Sequence, residues 1–175
     1  MLAFLHHAPP LFSRWLPTLA IALGCVAFLL QARSYFARRH RPVLDPGMRL
    51  AAGALGLLLL ALVLSVPVVV FGAGLRIAIA YVASMLLGIS LFVAAHYYKI
   101  VPFLVWYHRF GPLAGARPVP RVSDLYSGRL ATIATLLLLS GALLLIVSFV
   151  TGTAAGARLG AAVLAGGVAI EAHQM

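Results

Sequence analysis

Three stretches of this chain run so long without a charge that they dictate the solvent it folds in. Leu50 to Phe71 and Leu130 to Val150 carry no ionisable side chain, and Leu75 to Ala95 carries only Arg76 at its start. A helix of about 20 apolar residues crosses the roughly 30 Å hydrocarbon core of a bilayer, so each stretch has the length of a span. Two further runs join them. Leu16 to Ala32 contains no ionisable group except Cys25, and Ala154 to Ala172 has Arg158 and Glu171 near its ends, where long side chains snorkel towards water. The expected architecture is an all-α, polytopic transmembrane helical bundle of about five spans in a single membrane domain. The spans fall near 16–32, 50–71, 75–98, 130–150 and 154–172, and the longer connections are 33–49 and 99–129.

Composition agrees. Of 175 residues, 63% are hydrophobic and 9% charged, with a mean hydropathy of +1.08. A water-soluble domain this small leaves much of its surface exposed and has no means of covering so much apolar area. Strands are excluded because the runs are too long and lack the alternation of a lipid-facing barrel. In hydrocarbon a helix also satisfies its backbone hydrogen bonds within one segment.

The basic residues orient the spans. Arg33, Arg38, Arg39, Arg41 and Arg49 lie in the first long connection, and Lys99, Arg109, Arg117, Arg121 and Arg129 in the second, which leaves only Arg14, Arg76 and Arg158 elsewhere. The positive-inside rule places these two alternate connections in the cytoplasm. The amino terminus is then outside and the carboxyl terminus inside, which requires an odd number of spans and favours five over four. The net charge of +10 is accounted for by topology and anionic lipid headgroups. Nucleic acid is not an expected partner, because the basic residues flank spans and no recognition module surrounds them. A lone cysteine rules out an internal disulfide. The sequence Ala22-Leu23-Gly24-Cys25 is a poor lipoprotein cleavage box, and the arginines follow the apolar run instead of preceding it, so a retained first helix is expected.

Smaller features speak of packing. Gly152, Gly156 and Gly160 have small-xxx-small spacing for close helix approach, or Gly152 makes a turn after Val150. Gly72-Ala73-Gly74 suits a tight turn between antiparallel spans, and Pro67 suits a kink in the second span. From Leu75 to Trp106 the chain stays mostly apolar, and one straight helix over that range is about 48 Å long. A bend at Pro102 would lay Phe103 to Tyr107 at the interface, with Tyr97, Tyr98, Trp106 and Tyr107 as an aromatic belt.

His96 and Lys99 share a helix face, with Phe103 one turn further. This pattern suits a heme pocket, with imidazole on iron and Lys99 or Arg109 meeting a propionate. On spacing alone it better suits an interfacial histidine beside a snorkelling lysine. His108 is about 120° around the helix from His96, so a second axial ligand has to come from another span or chain. The segment HYYKIVPFLVWYHRFGPL, His96 to Leu113, together with RPVPRVSDLY after it, resembles bacterial membrane proteins described as NnrS-like or as distant relatives of the heme-copper oxidase catalytic subunit. The resemblance implies a polytopic helical protein of the bacterial inner membrane that holds heme b, with His96 as axial ligand and Lys99 as a neighbouring polar group. The chain departs from the oxidases in having far fewer spans and no histidine central to any span, which speaks against a copper–heme centre within it.

Other chemistry finds little support. His6-His7 is an adjacent pair without a third ligand. Asp45 and Asp124 lie in different connections, and phosphate loops, nucleophile elbows and HExxH are absent from the sequence. Small-solute transport calls for polar groups near the midplane. The spans offer Ser65, Ser84, Ser90, Thr135, Ser140 and Ser148, all able to bond back to their own helix. Two readings follow: a heme-associated component of respiratory or nitrogen-oxide metabolism, or a cofactor-free scaffold or assembly subunit. Either would sit in lipid as a homo-oligomer or within a larger membrane complex, and no catalytic constellation marks the chain as an enzyme.

Overall fold

The computed structural model describes residues 11–38, 44–115 and 117–174, with backbone alone for residues 11–18 and Val70. The elements are α1 (Leu11–Ala37), α2 (Pro46–Phe71), α3 (Leu75–Phe110), α4 (Gly128–Thr151) and α5 (Ala154–Gln174), with short 3-10 turns at Gly111–Leu113 and Val122–Leu125. Among the described residues there is no strand, and all five helices are long and apolar enough to cross a membrane. The all-α, five-span architecture expected from the charge-free runs is therefore the one observed. The described residues form two compact units, one holding α1 and the other α2 to α5.

Within the second unit the helices pair as two antiparallel hairpins, α2 with α3 and α4 with α5, and α4 also packs on α2 and α3. Local chemistry sets the helix ends. Asp45 caps α2 by accepting from the Met48 amide at 2.7 Å, and Pro46 follows at a position where no donor is needed. Ser127 caps α4 through the Leu130 amide at 3.4 Å. Gly72 (φ 60°) and Gly152 (φ 75°) end α2 and α4 in the left-handed region that favours glycine. A Cβ on Gly152 would also meet the Arg76 guanidinium carbon at 2.7 Å, so the two hairpin turns lie side by side.

Small residues carry the packing. Ala54, Ala80, Ala131, Ala134 and Ala142 are fully buried, which lets backbones approach where only van der Waals contact holds helices together in lipid. The α4–α5 seam is the closest. A Cβ on Gly141 would sit 2.6 Å from the Leu164 amide nitrogen, and one on Gly160 2.8 Å from that of Leu145. The two readings of the glycine series thus divide by position: Gly152 makes the turn, while Gly156 and Gly160 line the seam, which continues to Gly167 against Leu138. The span hydroxyls spend their donors on their own helices, Ser65 on Leu62, Ser84 on Ala80, Thr135 on Ala131, Ser140 on Leu137 and Ser148 on Leu144.

Two expectations meet a different outcome. First, α3 does not stop near residue 98 but runs through Pro102 to Phe110, 36 residues in all. At 1.5 Å per residue that is about 54 Å, well beyond the hydrocarbon core. Proline removes only one helical donor, Pro102 is buried, and the Trp106 indole donates to the Pro120 carbonyl at 2.6 Å, fastening the following segment to the last turns. Second, Glu171 does not snorkel. It is buried at 7% exposure, whereas Arg158 at the other end of α5 is exposed as expected.

Candidate functional site

Ionisable groups of the second unit gather at the end opposite the glycine turns. Capping α2 places Asp45 beside α3, where its Oδ2 lies 3.9 Å from the Lys99 ammonium, both side chains about half exposed. Close contact begins here too, since a Cβ on Gly47 would meet the Ala95 carbonyl oxygen at 2.8 Å. One residue before Lys99, Tyr98 turns into the core at 3% exposure and packs against Tyr126, ring centroids 5.7 Å apart. Tyr126 ends the connection ahead of α4. Burial, and then the Asp45 charge, push its phenol above the ordinary value.

The last turn of α5 completes the cluster. Glu171 lies within electrostatic reach of Tyr98. The Tyr98 hydroxyl and Glu171 Oε1 are both buried without a hydrogen-bond partner. Gln174, with its amide oriented to satisfy both ends, donates to the Ser127 carbonyl at 2.9 Å and accepts from the Ala131 amide at 3.2 Å. This binds the end of α5 to the start of α4. The arrangement is a small polar core at a four-helix junction, able to hold a proton or bury a hydrogen bond. Among the described residues no group of three His, Cys, Asp or Glu side chains is placed to hold a metal ion.

The residues expected around a heme lie elsewhere and apart. His96 is on the exposed flank of α3, its Nδ1 donating to the Phe92 carbonyl at 2.7 Å and its ring edge-on to Phe92 at 4.8 Å. Lys99 is engaged by Asp45. Arg109 is ten residues further along α3, about 15 Å by helical rise, with its guanidinium carbon 5.8 Å from the Phe110 ring centroid. Beside it, Trp106, Tyr107, His108, Gly111, Pro112 and Ala114 line an open depression of about 480 Å³. Among the described residues His96, His108 and His173 are each exposed, and His108 is twelve residues, about 18 Å of helical rise, from His96 along α3. His6, His7 and His40 lie outside the described residues.

By sequence neither Tyr98 nor Tyr126 stands out as a site residue, and Glu171 has the look of a surface group near the end of its span. The available signal was that Glu171 is the one acidic residue within an apolar run. Fold and site together define a helical, multi-pass membrane protein. No family model matches the chain, and no curated protein or solved structure is significantly similar to it.

Proposed function

We propose that the chain is a multi-pass protein of the bacterial inner membrane that acts as a cofactor-free scaffold or assembly subunit. Its amino terminus lies outside and its carboxyl terminus in the cytoplasm, on the strength of the arginine-rich connections. The observation that carries this reading is the dispersal of the expected heme residues: His96 bonds its own helix, Lys99 pairs with Asp45, and Arg109 lies about three turns away. What remains is a tightly seamed helix unit with a broad aliphatic surface, including Leu86, Ile89, Val93 and Ile100 along α3. Such a surface takes lipid or another transmembrane helix, and a homo-oligomer or larger membrane complex is its natural setting.

One observation favours a second reading. A carbonyl only accepts, so the Phe92 contact fixes the proton on His96 Nδ1 and leaves Nε2 bare and outward, the tautomer that metal-ligating histidines adopt. Two copies facing each other would then offer two imidazoles to one heme b, as the resemblance of the His96–Leu113 segment implies, with Lys99 or Arg109 near the propionates. Purification in mild detergent, followed by optical spectroscopy and cross-linking with mass analysis, separates the two. A colourless protein that cross-links to itself or to a membrane partner supports the scaffold. A Soret band that disappears in His96→Ala supports the heme reading, and a colourless protein without any partner overturns both.

A further inference from the structure

We propose that Glu171, buried in the polar core that also holds Tyr98, is a binding site for a single proton, which it keeps as a neutral carboxylic acid. The two groups come from different helices, α5 and α3, and both are more than nine-tenths buried. Both present an oxygen with no hydrogen-bond partner. An ionised carboxylate in such a place is costly unless a cation or donors compensate it. Among the described residues the one ion pair formed is Lys99 with Asp45, and no cation lies within ion-pair distance of Glu171. A protonated carboxyl, by contrast, carries no charge that needs compensation and is both donor and acceptor.

The neighbours define the route to water. Tyr98 from α3 feels the Glu171 charge, Tyr126 packs on Tyr98 ahead of α4, and Asp45 and Lys99 form the half-exposed rim. Arg49 of α2, Arg129 of α4 and His173 of α5 are exposed around that end. A proton arrives from water there, forms the O–H bond on the Glu171 carboxylate, and returns to water by the same path. The inference does not depend on whether the protein is a scaffold or a heme carrier.

Infrared spectroscopy of the full-length protein in lipid vesicles tests it. A carbonyl band of a protonated carboxyl at neutral pH, shifted in deuterium oxide and lost in Glu171→Gln, is the expected result. Tyr98→Phe should retain the band but move its frequency and the pH at which it fades. Dicyclohexylcarbodiimide, a lipid-soluble reagent for neutral carboxyls, should modify Glu171 well ahead of Asp45 and Asp124, more slowly as pH rises. Circular dichroism of the glutamine variant, with Glu171→Asp as a second variant, separates loss of the acid from loss of the fold. A wild-type protein with no such band, its carboxyl ionised at neutral pH, overturns the proposal. So does a site whose carboxyl signal responds to sodium or potassium instead of pH.

Discussion

The two hairpins of the second unit are built from similar residues but packed by different rules. Along α4–α5 the glycines meet backbone: Gly141 faces the Leu164 nitrogen and Cα, and Gly160 faces the Leu145 nitrogen and the Gly141 carbonyl. Along α2–α3 the glycine Gly88 mainly meets the tip of a side chain, Leu58. A side chain swings aside and a helix backbone does not. The α4–α5 seam is therefore rigid and unforgiving at both glycines, whereas the α2–α3 seam is adjustable at Gly88 and meets backbone only at its polar end, where Gly47 faces the Ala95 carbonyl. The adjustable hairpin also carries the helix that outruns the bilayer, while the rigid one presents Glu171 to the polar core.

The largest expected effect breaks the rigid seam. Gly160→Leu pushes a branched side chain into the Leu145 backbone and should cost about 3 kcal/mol or more, the upper range for overpacking. Unfolding in mixed micelles by a denaturing detergent measures it. Gly56→Leu is the matched control, since a Cβ there meets nothing within 4 Å, and it should lose no stability and gain up to about 1 kcal/mol from replacing a helix-interior glycine. Equal losses at the two positions would sink the contrast.

A smaller effect sharpens the comparison on the other hairpin. In Gly88→Ala the new methyl meets Leu58 Cδ2 at 2.8 Å and its amide nitrogen at 3.2 Å. Repacking costs about 1–3 kcal/mol. Replacing glycine in a helix interior returns about 1 kcal/mol. The net loss should stay near 1 kcal/mol and well under that of Gly160→Leu, in the same assay.

How much of this the sequence discloses follows from what each feature depends on. Spans are a property of consecutive residues, so charge-free runs reveal them directly. The glycine spacing at 152, 156 and 160 announces a seam, yet the turn at Gly152 and the continuation to Gly167 depend on where α5 starts. The end of α3 is legible only in part: Gly111-Pro112 is a local stop just after Phe110, whereas the Trp106 bond to Pro120, fourteen residues on, that ties down the last turns is not. The site was the least legible part. His96 was conspicuous by residue type, but helix phase turns it outward, and the same phase turns its neighbour Tyr98 inward. Glu171 looked like a terminal charge because nothing local shows that Gln174 draws the last turn of α5 onto Ser127 and Ala131.

The rim of the polar core should matter far less to stability than either seam. Lys99 and Asp45 are 3.9 Å apart and about half exposed. Exposed pairs of this kind contribute about 0.2–1 kcal/mol, and salt screens them. Lys99→Ala should therefore fall at or below that range, with the difference vanishing at high ionic strength. A loss comparable to Gly160→Leu would mean that the rim, and not the seam, holds this end together.

The smallest effect concerns pH. Tyr126 has its phenol raised above the ordinary 10.0 by burial and then by the Asp45 carboxylate. The folded state thus holds this proton more tightly than the unfolded chain does. Its contribution to stability is complete below the ordinary value and is lost as pH climbs from there through the folded value. Asp45→Asn removes the negative neighbour while leaving burial intact, so phenolate should appear at lower pH than in the wild type, though still above the ordinary value. Ultraviolet titration of the phenolate band checks this, with Tyr126→Phe identifying which part of the curve belongs to that residue. An unchanged curve in Asp45→Asn would mean that burial alone sets the shift, and that Asp45 acts only as the cap of α2 and the partner of Lys99.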